Sequence, residues 1–315
     1  MVQIEINRLI SKDYFVGICL LLLMFSCQEK KSDVSVEKRN YLIEFDEFEE
    51  IAKNSNAKII DFRKPEEYQQ DHIIEAINIW RPEIRSTSYP YSGMMASREE
   101  VELLFRRKGI NNNDLLIVYD DKGLCDAARL WWILQVYGYH NIRMLNGSYS
   151  TWKATHDVSS EILATKTSDF SFQEKPSYAL HISKEEVKKA LNKKLILDTR
   201  TEDEFSGKRQ KKGAYKAGHI PSAFQMDWAH AINYHGDKRF KSIEELREIY
   251  KEVLSHQEDT VITYCQSGTR SAHTTFVLTQ LLGMKNVKNY DGSWIEWSYF
   301  NDLPFEKDTI TIIFE

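Results

Sequence analysis

The chain has 315 residues, room for about two domains of ordinary size. Its 42% hydrophobic and 28% charged residues are those of a soluble globular protein with material for two cores, and a formal net charge of −5 argues against nucleic acid as the main partner. Four cysteines (Cys19, Cys27, Cys125 and Cys265), with no histidines at metal-binding spacing, leave no metal site and no disulfide framework to expect.

The first 27 residues read as a leader. Arg8 and Lys12 precede the apolar run YFVGICLLLLMFS at 14–26, which is short for a membrane span, and Cys27 and the polar QEKKSDVSVEKRN follow. This order resembles a bacterial lipoprotein signal, with Met24 where such signals commonly carry Leu. It predicts that Cys27 is lipidated, that residues 28–40 are a tether, and that the body sits in the cell envelope, outside the cytoplasm. The alternative is an uncleaved anchor helix. Contact with a membrane is expected only through this leader.

Beyond residue 40 the chain contains itself twice. KIIDFR (58–63) matches LILDTR (195–200), each an apolar strand ending in Asp-x-Arg. Glu67-Tyr68 and Glu204-Phe205 follow at the same offset, then DHIIEAINI (71–79) and GHIPSAFQM (218–226). The amphipathic stretches SREEVELLFRRKGI (97–110) and SIEELREIYKEVL (242–254) lead into the strands DLLIVYD (114–120) and DTVITYC (259–265). A loop, a helix, a short strand and an Asn/Asp-Gly-Ser-aromatic turn close each half. Alternating strands and helices predict an α/β fold of two domains, each a mostly parallel sheet flanked by helices. The boundaries expected are 41–156 and 179–308, with a polar linker over 157–178 and a tail over 309–315.

In the second half the strand stops at Cys265, and Gln266, Ser267, Gly268, Thr269 and Arg270 lead into a helix. A cysteine placed there meets the helix N-terminus and the unpaired amides of a tight turn, both of which favour the thiolate. Gly268 permits the turn, and Arg270 supplies a fixed cation or braces the loop through an internal carboxylate.

The duplicated Asp-x-Arg, the GHIPSA segment, the cysteine at the strand tip and the closing Gly-Ser-aromatic element together resemble the tandem-domain rhodanese family over roughly residues 41–308. The resemblance implies a sulfurtransferase of the thiosulfate or 3-mercaptopyruvate type. Cys265 would carry sulfur as a persulfide between a small-molecule donor and a thiophilic acceptor such as cyanide or a thiol. No cofactor and no metal is expected. The first domain is expected to be silent, because Asp120 stands opposite Cys265, while Cys125 lies past the glycine, off the nucleophile position.

The donor stays open at this level. Ser267 stands where thiosulfate-using relatives often carry a cation, and Gln266 departs from the Cys-Gly-Ser-Gly of relatives acting on 3-mercaptopyruvate. In the latter, an Asp and a His of the first domain relay a proton, and Asp61 and His72 match them. Each has a twin in the second half, Asp198 and His219, which favours structural roles, as Arg63 does for Arg200. Glu204 replaces an arginine that binds the anionic donor in some members, so Arg200, Arg270 or the basic segment 208–216 must compensate, and Trp80, Arg81 and Arg85 are placed near the cleft. Two rivals are a non-catalytic sulfide-binding or docking module and a Cdc25-like phosphatase or arsenate reductase. Members of the latter class place five residues between Cys and Arg; here there are four.

Overall fold

The computed structural model describes residues 40–256 and 259–308. The leader with Cys27, nearly all of the tether and the 309–315 tail lie outside them. The first half runs β1 (Leu42–Ile43), α1 (Phe45–Asn54), β2 (Ala57–Asp61), α2 (Pro65–Gln70), β3 (Ile77–Asn78), α3 (Arg98–Arg107), β4 (Leu115–Tyr119), α4 (Cys125–Val136), β5 (Ile142–Leu145) and α5 (Tyr149–Lys153). The second runs β6 (His181–Ile182), α6 (Lys184–Ala190), β7 (Leu195–Asp198), α7 (Glu202–Phe205), β8 (Ala223–Gln225), α8 (Ile243–Ile249), α9 (Lys251–Leu254), β9 (Val261–Tyr264), α10 (Thr269–Phe276), β10 (Val287–Tyr290) and α11 (Ser293–Tyr299).

Each half forms a five-stranded sheet, ordered β1-β5-β4-β2-β3 and β6-β10-β9-β7-β8, so the sequence repeat is a repeat of topology. All pairings within the two sheets are parallel. Covered on both faces, the central strands must be apolar throughout, and every residue of LLIVY in β4 and VITY in β9 is buried. Ser97 and Ser242 start α3 and α8 with the same capping box, each hydroxyl accepting from the amide three residues on.

The duplicated polar residues do duplicated work. Asp61 accepts from Arg63 Nη2 at 2.6 Å and from the Tyr119 hydroxyl at 2.6 Å, and Asp198 accepts from Arg200 Nη2 at 2.6 Å. The Tyr119 and Tyr264 hydroxyls each accept a backbone amide at 3.1 Å, from Ile73 and Ile220. His72 stacks on Tyr68 and bonds its carbonyl at 2.7 Å; His219 stacks on Phe205 and bonds its carbonyl at 2.8 Å. The backbone of each histidine also forms an isolated antiparallel bridge to the segment that leaves its half, His72 with Ser159 and His219 with Glu306.

The segment after the first half is less of a free linker than its composition suggests. Phe170 and Phe172 are buried, with Phe170 against Phe105 and Tyr139, and Arg106 Nε donates to the Phe170 carbonyl at 2.7 Å. Two aromatics within a Ser/Thr-rich run tie it to the first core. The halves meet along α4 and α10, where Phe276 meets Trp131 edge-on and Ala272 joins the first core.

Candidate active site

Cys265 follows β9 directly, at the carboxyl edge of the second sheet where the loop turns into α10. Gly268 makes that turn at φ +71°; a Cβ there would lie 2.5 Å from Arg129 Nη1 and 2.6 Å from the Asp291 carbonyl oxygen. Ser293 Oγ pins the loop, accepting from the amides of Cys265 at 3.1 Å and Gly268 at 3.0 Å while donating to the Tyr290 carbonyl at 2.8 Å. The Gly268 amide therefore belongs to the brace and not to the sulfur, contrary to the sequence expectation of a cradle formed by the whole loop. Ser271 Oγ, fully buried and without an oxygen or nitrogen partner, faces the thiol.

Burial pushes the Cys265 thiol up. Arg270, the hydroxyl and amide of Ser271 and the amide of Ser267 outweigh that penalty and hold the group below its ordinary value. Arg270 acts through charge alone. Its guanidinium is committed to Glu204 by two hydrogen bonds, at 2.7 and 2.8 Å, and Arg209 adds a third at 3.2 Å. Glu204 is 1% exposed. Burial works against its ionisation, yet Arg270 brings its carboxyl down to about 2. The glutamate that seemed to cost the site a cation is instead the counterion that fixes one.

The first half supplies an internal comparison. Asp120 occupies the position of Cys265, and its buried carboxylate is held by four backbone amides. Oδ1 accepts from Lys122 at 2.8 Å and Leu124 at 2.9 Å; Oδ2 accepts from Asp126 at 2.9 Å and Ala127 at 3.1 Å. Burial and the nearby Asp126 lift the acid to about 6, against the four amides, which favour the ionised form. The corresponding amides of the second half are those of Ser267, Thr269, Ser271 and Ala272; two of these, Ser267 and Ser271, help to lower the Cys265 pKa, and that of Ala272 donates to the Gly268 carbonyl at 3.3 Å. In one half the turn holds a carboxylate, and in the other it presents a sulfur with space in front of it.

That space is a cavity of about 280 Å³ between the halves. Cys265 is 1% exposed and lies on its floor with Gln266, Ser267, Thr269 and Arg270. The first half contributes Arg81, Arg85, Lys122, Asp126 and Cys125. Cys125 is also buried, but burial, Asp126 and Asp120 push its thiol well above the ordinary value. Asp61, His72, Asp198 and Arg200 are not among the residues lining this cavity. Arg200 is held between Asp198 and the Gly218 carbonyl and offers no guanidinium to a ligand there. Asp61 and His72 bond to different partners, so the geometry gives them no relay to the loop.

Arg129 was not singled out by the sequence. It lies within the wholly buried α4, 2% exposed, and donates to the Gly268 carbonyl at 3.2 Å, the Gly93 carbonyl at 3.1 Å and Asp291 Oδ1. Asp291 Oδ2 in turn accepts the Met95 amide at 3.0 Å. The half without the cysteine thus holds the loop that carries it. An arginine amid AARLWW was the available signal.

Taken together, the molecule is a duplicated parallel α/β protein with one braced thiol, in electropositive surroundings, on the floor of an interdomain cavity. A family model described as "Rhodanese-like domain" matches residues 44–155 and 183–299, and the chain belongs to that family. A protein of Saccharopolyspora erythraea named "Putative thiosulfate sulfurtransferase" is 35% identical over 247 residues, covering 76% of this chain and 86% of its own. "Putative thiosulfate sulfurtransferase 1" of Mycobacterium bovis is 33% identical over 247 residues, covering 76% and 87%. Among solved structures, Tum1 of Saccharomyces cerevisiae superposes with a TM-score of 0.73 at 18% identity, covering 85% of this chain and 98% of its own. YnjE gives 0.72 at 22% identity, covering 86% and 69%.

Proposed function

We propose that the protein is a sulfurtransferase in which Cys265 carries the sulfur. The observation that supports this most strongly is the amide cradle shared by the two halves. Asp120 fills it with the two oxygens of a carboxylate, and a persulfide, Cys265–S–S⁻, presents two atoms and one negative charge to the equivalent amides. The names carried by the relatives support the same reaction class.

The chemistry is a double displacement. The Cys265 thiolate attacks the outer sulfur of the donor, the S–S bond of thiosulfate or the C–S bond of 3-mercaptopyruvate breaks, and sulfite or pyruvate (the latter taking up a proton) leaves with the bonding pair. The acceptor, cyanide or a thiol, then attacks the terminal sulfur, and the Cys265 thiolate returns as leaving group. Amides of Ser267 and Ser271 and the charge of Arg270 favour the anionic form of the cysteine before and after each transfer. A phosphatase of the Cdc25 type needs its arginine free to wrap an oxyanion, whereas Arg270 is bound to Glu204.

The test is thiocyanate formation from thiosulfate and cyanide, and pyruvate release from 3-mercaptopyruvate, by the wild type and Cys265→Ser. Activity with either donor that disappears in the variant supports the proposal. Equal rates for both proteins, or no turnover of either donor, rejects it in favour of a binding or docking role. The proposal extends to location: the leader motif and Cys27 suggest a body held outside the cytoplasm by lipid.

A further inference from the structure

The cavity in front of Cys265 carries more positive charge than its own carboxylates answer. Arg81, Arg85, Lys122, Lys211, Lys212 and Arg270 line it, against Asp126 alone. Two of the six share that aspartate: Arg81 at 3.0 Å and Lys122 at 3.6 Å. Arg270 is matched by Glu204. Arg85 differs from all three. It is half-buried, yet its guanidinium makes no hydrogen bond or ion pair among the described residues. Burial, with Arg81 and Arg129 close by, brings its pKa down to about 10, and the charge of Asp126, already shared by Arg81 and Lys122, offsets this only in part. The backbone around it is fixed: the residue lies in an antiparallel bridge to Met95, and its amide donates to the Pro82 carbonyl at 3.2 Å.

A guanidinium kept unpaired on a rigid wall of a cavity is organised for an anion that is not part of the chain. Lys211 and Lys212, on the facing half, also make no side-chain hydrogen bond or ion pair among the described residues, but both are exposed. We propose that Arg85, donated by the half that lacks the nucleophile, anchors the anionic end of the sulfur donor while the donor's transferable sulfur faces Cys265. This rests on the sulfurtransferase proposal for the identity of the ligand, and it deepens that proposal by naming the donor class. The donor is a small oxyanion-bearing molecule, a sulfonate or carboxylate, and not a neutral polysulfide. It also explains how a site with Glu204 in place of a donor-binding arginine keeps a donor cation: the charge comes from the opposite wall.

The experiment compares two alkylating agents of similar size, anionic iodoacetate and neutral iodoacetamide, on the full chain, with modification at Cys265 followed by peptide mass. The readout is the ratio of the two rates, normalised to free cysteine. Wild type should favour iodoacetate. Arg85→Gln should lower the ratio about tenfold, the order of one partly screened charge pair, and leave the iodoacetamide rate unchanged. Arg85→Lys should restore most of the ratio. In turnover assays the KM for the anionic donor should rise in Arg85→Gln with little change in kcat. An unchanged ratio in Arg85→Gln overturns the assignment. So does an equal loss with both reagents, which would mean that Arg85 only supports the loop. Because alkylation needs no sulfur transfer, a preserved iodoacetate preference in a protein that turns over neither donor would reject the sulfurtransferase proposal and leave the anion anchor standing.

Discussion

Replacing Arg270 with Met separates two effects that the Glu204–Arg270 pair combines. Glu204 is 1% exposed and receives both guanidinium bonds at under 3 Å. Removing the arginine leaves a buried carboxylate without its principal partner, a change that costs about 3–5 kcal/mol. A carboxyl brought from its usual 4.5 to about 2, net of the burial that opposes it, reflects a preference for the ionised form on the order of 3 kcal/mol. That corresponds to a fall in Tm of about 6–12 °C for a chain of this size. The sign follows from the depressed pKa. The pair contributes fully above the unfolded carboxyl's value and is lost as pH falls through about 2, so the deficit of the variant is constant near neutrality and narrows in acid. The second effect falls on Cys265. Without the Arg270 charge the thiol pKa rises. The rate of iodoacetamide modification at Cys265 against pH should shift to higher pH. The double variant Arg270→Met/Glu204→Met removes the orphaned charge; it should recover most of the Tm and none of the thiolate. A double variant whose alkylation profile matches wild type would refute the electrostatic account of the cysteine.

Ser293→Ala removes the acceptor shared by the Cys265 and Gly268 amides, leaving two buried donors unmet. It should lower stability by about 2–4 kcal/mol in denaturant titration and slow transfer together with Cys265 alkylation. Cys125→Ser should leave the pH profile of Cys265 alkylation and the transfer rate within about twofold of wild type, because the Cys125 thiol is neutral at working pH. Arg129→Met should reduce transfer by loosening the loop without changing the iodoacetate-to-iodoacetamide ratio. Expressed with its leader in a bacterium that processes lipoproteins, the chain should incorporate labelled palmitate, and Cys27→Ser should not; equal labelling would exclude Cys27 as the lipid site.

The parts of the fold that could be read from the sequence were those set by local pattern. Two copies of an Asp-x-Arg strand end, two apolar runs of parallel-strand type and two Gly-Ser-aromatic turns fix a repeated sheet, because strand burial and turn geometry depend on near neighbours. The position of Cys265 at a strand tip, and the structural use of Asp61, Asp198 and their arginines, followed from the same logic. The partners of the charged residues did not. Arg270 meets a glutamate 66 positions away, and Arg129 meets the Gly268 carbonyl across 139 positions. Neither spacing has a period that could announce it. Glu204 looked like a missing cation because its partner lay elsewhere in the chain, and the amide of Gly268 looked available because Ser293 was out of view. Arg85 could be placed near the cleft from its position after β3, but its lack of a partner is a property of the packed molecule only.

The central claim is that Cys265, seated against inward-facing amides, accepts and holds a single sulfur atom. The most direct measurement is the intact mass of the full chain after brief exposure to thiosulfate or 3-mercaptopyruvate, followed by peptide mapping and then by addition of cyanide. One added sulfur located on Cys265, removed by cyanide with release of thiocyanate, is the predicted result. A chain that gains no sulfur from either donor, or gains it on Cys125, would contradict the account.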